Sequence, residues 1–214
     1  MKKSILIITT LFFTIGLFSQ NSDEARKIVD KTYNDYISSQ GIRLSFELIT
    51  MDSDGEELDS QEGVASIKGN KFHLEMSDID VWFDGKTQWV LMKGINEVNI
   101  SNPTDSELAS ISPLALLGIY REGYQLKAPI NNTLNKINVS MIEMTPIDAN
   151  KEFKAITICI DKASGKLVQA NFTLKNNMQN RIDITNYNDN YKYSDSDFIF
   201  DKSKFKEVEI IDLR

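Results

Sequence analysis

The chain has 214 residues, with 24 Lys and Arg against 31 Asp and Glu, a formal net charge of −7, and a single His and a single Cys. An acidic chain without basic clusters argues against nucleic-acid binding, where phosphate contacts supply most of the affinity, and against adhesion to anionic membrane surfaces. One Cys forbids an internal disulfide, and one Cys with one His cannot form a clustered zinc site.

Lys2 and Lys3 precede an apolar stretch from Ile5 to Phe18. That stretch is too short to span a bilayer comfortably and fits the core of a cleaved secretory signal. Cleavage is expected near Ser19–Gln20, so residues 1–20 form the signal and residues 21–214 one domain of ordinary length. Without the signal, 22 basic residues face 31 acidic ones, a net charge near −9. No Cys stands just after the apolar stretch, so a product free of lipid modification at its start is expected.

Asn21 to Ser38 reads as the first helix. Asn21 or Ser22 can cap it, Asp23 and Glu24 complement its dipole, and Ala25, Ile28, Val29, Tyr33, Tyr36 and Ile37 give one apolar face. From Ile42 the period changes to two, with Ile42, Leu44, Phe46 and Leu48 alternating against Arg43, Ser45 and Glu47. Asp52 to Gly55 has turn chemistry. Strands are expected over Gly63–Ile67, Lys71–Met76, Ile79–Phe83, Thr87–Met92 and Val98–Ser101, with Asp84-Gly85 as a strong hairpin signal. Thr104 to Tyr120 then reads as one or two short helices. Ser112 is a cap, Pro113 stands at the first helical position and Gly118 at the stop. The second of these is apolar on nearly all sides, so it must lie against apolar surface on more than one. Strands resume at Lys136–Met144, Phe153–Ile160, Leu167–Leu174 and Arg181–Tyr187, and Phe198–Phe200 with Val208–Leu213 close the chain.

The inventory for catalysis is thin. No Gly-x-Ser-x-Gly elbow and no Gly-rich phosphate loop occur. His73 lies inside a strand, and Cys159 sits within the alternation Ile156, Ile158, Ile160 as a buried side chain rather than a nucleophile. Asp52 to Glu57 and Asp189 to Asp197 lack a calcium-loop pattern and read as solvated turns. No catalytic residue, metal site or cofactor is expected, and the chain is not expected to be an enzyme.

What the sequence holds instead is apolar surface. Phe72, Leu74, Met76, Val81, Trp82, Phe83, Trp89, Val90, Leu91 and Met92 crowd two adjacent hairpins. One face of a half-buried sheet suffices for a core; here both faces carry large apolar groups, so part of this lining is expected to face a hydrophobic cavity.

Lys71-Phe72-His73 followed by Asp84-Gly85-Lys86-Thr87-Gln88-Trp89 resembles the LolA-type lipoprotein carriers, where an Arg-Pro-x-x-Phe-Arg-like strand precedes an Asp-Gly-Lys-x-hydrophobic-Trp hairpin. Ser112-Pro113-Leu114-Ala115-Leu116-Leu117 is similar to the family's helical lid. Phe198-Ile199-Phe200 and Val208-Glu209-Ile210-Ile211-Asp212 are similar to its closing segments. The resemblance implies an α+β, mainly β fold: an incomplete, unclosed antiparallel β-barrel of ten or eleven strands with an amino-terminal helix and a central helical lid, as in LolA and LolB. It also implies a periplasmic, monomeric carrier that takes acylated lipoprotein or lipid cargo from an inner-membrane lipoprotein-releasing transporter to an outer-membrane acceptor.

On this reading Phe46, Leu48, Phe72, Leu74, Met76, Trp82, Phe83, Trp89 and Leu91 line the cavity, and Leu114, Leu116, Leu117, Ile119 and Tyr120 form the lid. Two departures stand out. Many members carry a lid-holding arginine near the Lys68–Asn70 turn, where Gly69 and Asn70 stand here, and His73 takes the position after Phe72. Two other readings use the same residues: a periplasmic lipoprotein-sensing or interaction domain on the same scaffold, and a hydrolase of envelope lipids or glycans.

Overall fold

The amino-terminal helix α1 runs Ile15–Ile37 in a computed structural model that describes residues 15–104, 107–108 and 112–214, with side chains from Ser22 onward except those of Pro113 and Leu114. Most of the expected signal thus lies outside the described residues. The helix passes through Asn21 and Ser22 without the expected cap, because extending a formed helix adds one hydrogen bond for each residue fixed. Ala25, Val29, Thr32 and Tyr36, spaced four, three and four apart, are its buried stripe. At its end Ser38 and Ser39 donate their hydroxyls to the carbonyls of Asn34 and Tyr36, which also accept the Ser38 and Ser39 backbone N–H groups.

Thirteen strands among the described residues form one sheet. They are β1 Ile42–Met51, β2 Glu57–Lys68, β3 Lys71–Met76, β4 Ile79–Phe83, β5 Gln88–Met92, β6 Glu97–Ser101, β7 Tyr124–Leu126, β8 Ile130–Leu134, β9 Ile137–Pro146, β10 Phe153–Asp161, β11 Leu167–Leu174, β12 Gln179–Asn188 and β13 Glu209–Asp212. Their order is β13-β6-β5-β4-β3-β2-β1-β12-β11-β10-β9-β7, with β8 also on β9. Every pairing is antiparallel except that of β13 with β6. No ladder joins β13 to β7 or β8, so the sheet curves without closing. The short helix α2, Pro113–Gly118, followed by a 3-10 turn over Ile119–Glu122, packs against α1 inside the curve.

The fold is the expected unclosed, mainly β one, with three local corrections. β7 and β8 escape sequence reading because β7 is three residues long and β8 is exposed on nearly every residue, so no buried alternation marks it. β2 begins at Glu57 rather than Gly63, since its acidic first half pairs with β1 through the backbone while its side chains stay in solvent. Phe198–Phe200 is not a strand: Asp195–Phe198 is a 3-10 turn with a reciprocal Ser194–Asp197 cap, and Phe198 and Phe200 are buried as plugs.

Alternation divides the core in two. Val81 and Phe83 of β4 join the main cluster with α1 and α2, whereas Trp82 between them points to the opposite face. There Trp82 packs edge-on to Phe200 and Phe205, with ring centroids at 5.4 and 5.8 Å. The segment after β12 therefore crosses back over the outer face and covers it. This accounts for large apolar groups on both faces of the central hairpins.

Candidate functional site

An apolar cavity of about 240 Å³ lies between the two wings of the sheet, under α2. Leu44, Phe46 and Leu48 of β1 form its floor. Leu74 and Met76 of β3 make one wall, and Leu167, Ala170 and Phe172 of β11 with Ile182 and Ile184 of β12 make the other. Leu116 reaches it from α2, and Gln61 and Ser112 are the polar side chains in its lining. The wall closes because β1 pairs with β12, setting Leu48 opposite Ile182, and with β2, setting Phe46 opposite Gly63.

Gly63 is fixed by that pairing. A Cβ built there would stand 2.3 Å from Phe46 Cζ, so the tip of the ring sits where a side chain at position 63 would be. Gly63→Val should push the Phe46 ring into the cavity, costing about 1–3 kcal/mol of stability as an overpacking change and weakening apolar-dye binding. Urea denaturation and dye titration check both, and a variant equal to wild type in both would contradict the placement.

The roof begins at Ser112, whose hydroxyl accepts a hydrogen bond from the Ala115 N–H at 3.3 Å while Pro113 sets the first helical turn. Leu116, Leu117, Ile119 and Tyr120 are all buried, but Leu116 is the one of the four that lines the cavity. The other three pack into the main core. The Leu114 side chain lies outside the described residues.

The end of the roof is clasped to α1. The Tyr120 hydroxyl donates to Asp30 Oδ1 at 2.5 Å, the Arg121 guanidinium also bonds Asp30, and Arg121 Nε donates to the Tyr120 hydroxyl oxygen at 3.1 Å. The same guanidinium lies over the Tyr33 ring, 4.4 Å from its centroid. Burial alone would raise the Asp30 pKa, but the bonds from Tyr120 and Arg121 and the nearby charges hold it below its ordinary value.

A depressed carboxylate pKa stabilises the folded state fully above the unfolded value, and that contribution drains away as pH falls through the folded one. Acidification below about pH 4 should therefore loosen the clasp and increase binding of a neutral apolar dye. Asp30→Asn should lack that acid transition, and an identical pH profile in the variant would contradict the assignment.

The sequence pattern of the outer membrane lipoprotein carrier protein LolA family matches residues 15–174. The chain belongs to the LolA family. Its fold is similar to that of an uncharacterized conserved protein from Thermus thermophilus, at 10% identity over 88% of this chain and 99% of that one, with a TM-score of 0.59. A DUF1329 family protein from Desulfovibrio piger is 13% identical over 88% and 99%, with a TM-score of 0.50. A LolA superfamily protein from Nitrosomonas europaea is 13% identical over 82% and 97%, with a TM-score of 0.47. Comparison with curated proteins finds no match.

The LolA family is one of periplasmic carriers. Among the described residues no helix is long and apolar enough to cross a membrane, and no group of three or more His, Cys, Asp or Glu is placed to hold a metal.

Within this LolA-like frame, the structure brings Phe46, Leu48, Leu74, Met76 and Leu116 together around one cavity. Phe72 and Phe83 line a neighbouring chamber instead, their rings 5.4 Å apart. Trp82, Trp89 and Leu91 do not line the cavity. They sit on the outer face with Val98, Phe200 and Val208, because the two-residue period of β4 and β5 sends them away from it. His73 is also on that face, stacked on Trp82 with ring centroids at 4.6 Å, and its burial lowers its pKa. Cys159 is buried, and burial with the nearby Asp183 carboxylate raises its thiol pKa, the opposite of an activated nucleophile.

Sequence reading missed the wall from β11 and β12. Ile182 and Ile184 do alternate, but nothing local to them says that they face β1. It also missed the clasp. The Lys68–Asn70 turn, where many family members carry the lid-holding arginine, is tied to the carboxy-terminal crossing segment instead. Lys68 Nζ donates to the Tyr193 carbonyl at 2.8 Å, and Lys71 pairs with Asp195 at 2.8 Å.

Proposed function

We propose that this LolA-family chain is a periplasmic carrier that shelters the acyl chains of lipoproteins, taking them from an inner-membrane lipoprotein-releasing transporter to an outer-membrane acceptor after cleavage of its signal. The observation that carries this reading is the apolar lining of the cavity under α2. Each methylene removed from a bilayer must regain about 0.8 kcal/mol, so a 14-carbon chain needs roughly 11 kcal/mol of apolar replacement. Hydrogen bonds cannot supply that; a continuous apolar wall can. The space exceeds the engineered cavity of about 150 Å³ that accepts benzene, and displacing α2 would enlarge it. Loading therefore displaces the roof, and the Asp30 clasp opposes that displacement. The carrier acts as a monomer without cofactor and does no chemistry on its cargo.

Spheroplasts holding a newly made lipoprotein in the inner membrane test this. The purified carrier should release full-length lipoprotein into the soluble fraction as a stoichiometric complex. Lipoprotein that stays membrane-bound at every carrier concentration would overturn the proposal.

A further inference from the structure

Leu116 faces the apolar cavity, whereas Ala115 and Gly118, on other sides of α2, face a second chamber of about 290 Å³. Ser112 lines both, so the two spaces meet at the start of the helix. The floor of the second chamber is Phe72 and Phe83, and its rim carries Tyr33, Asn70, Arg121 and Glu122. It is thus apolar where it adjoins the tail cavity and polar at its outer edge, which is the layout an amphiphile needs.

Charge decides which amphiphile. Among the described residues Arg121 and Glu122 are the charged groups of the lining. Arg121 is already held by Asp30 and by the Tyr120 hydroxyl, and Arg26 lies 5.4 Å from the Tyr120 ring centroid. Among the described residues of the lining the cation is thus already paired, and the Glu122 carboxylate stands with it. An anionic head entering here would lose water next to Glu122, or would take Arg121 from Asp30 and leave that carboxylate without its main partner; both are costly. A head without charge incurs neither cost and can use the Asn70 amide and the Ser112 hydroxyl.

We infer that the second chamber seats the polar head of the acylated cargo, and that Asp30, by occupying Arg121, makes the site prefer uncharged glyceryl-ester heads over carboxylate or phosphate heads. This rests on the carrier reading. Asp30 is a specificity-determining residue that acts through Arg121.

The test uses two ligands with one tail, 1-monolauroylglycerol and laurate, titrated calorimetrically below their micelle concentrations at about pH 8, where the laurate carboxyl is ionised. The wild-type protein should bind the glyceride about tenfold more tightly or better, since one charge-assisted pair is worth roughly that factor. Asp30→Asn keeps the shape, frees the guanidinium and should erase or invert the preference by a similar factor. Arg121→Gln placed on top of Asp30→Asn should cancel the gain for laurate. Failure of both ligands to bind any of the proteins would overturn the carrier reading and this inference with it. Binding of both with a ratio unchanged in a cooperatively folded Asp30→Asn protein would overturn this inference alone.

Discussion

Leu116→Asp should abolish the binding of acylated ligands, with affinity falling by about 100-fold or more. Leu116 is 1% exposed and contributes the roof of the cavity. A carboxylate there must be desolvated whenever a tail enters, and the penalty for an unpaired buried charge is several kcal/mol, with about 1.4 kcal/mol for each tenfold in affinity. Titration with a neutral apolar dye and with a lipopeptide measures the loss. Ala170→Phe serves as the companion change, because it fills the same space from the β11 wall without adding charge. Both variants should lose binding. Wild-type affinity in both would put the ligand elsewhere.

Leu117→Ala, one residue on, should act on stability and much less on affinity. Leu117 is fully buried and belongs to the main cluster rather than to the cavity lining. Removing a fully packed leucine costs about 2–5 kcal/mol, which for a domain of this size lowers Tm by roughly 5–15 °C. Thermal unfolding followed by circular dichroism reads the shift. An unchanged Tm would mean that α2 is loosely seated, and the contrast between the two leucines would disappear.

Local chemistry makes part of this visible in the sequence. The alternation of β1 by itself places Leu44, Phe46 and Leu48 on one face. Asp84-Gly85 forms the expected tight turn, with Asp84 Oδ1 accepting from the Lys86 and Thr87 N–H groups at 2.9 and 2.8 Å and Gly85 at φ +100°. What stays hidden depends on long-range pairing. The register of β1 with β12, which carries Ile182 and Ile184 to the cavity, joins distant segments and leaves no local mark. Period two also tells that Trp82 and Phe83 point in opposite directions without saying which way is inward. Phe200 and Phe205, more than a hundred residues later, settle that by covering Trp82. Asp30 reads in the sequence like any solvated position on an amphipathic helix, and it becomes a clasp only because α2 docks beside it.

On the proposed function, acyl chains occupy the space beneath α2. Native mass spectrometry of the protein isolated from its native cells without detergent tests this. The spectrum should show the chain carrying a lipid-sized adduct that collisional activation removes, with the adduct absent from Leu116→Asp and Ala170→Phe. A bare chain in every preparation, including one mixed with a triacylated lipopeptide, would contradict it.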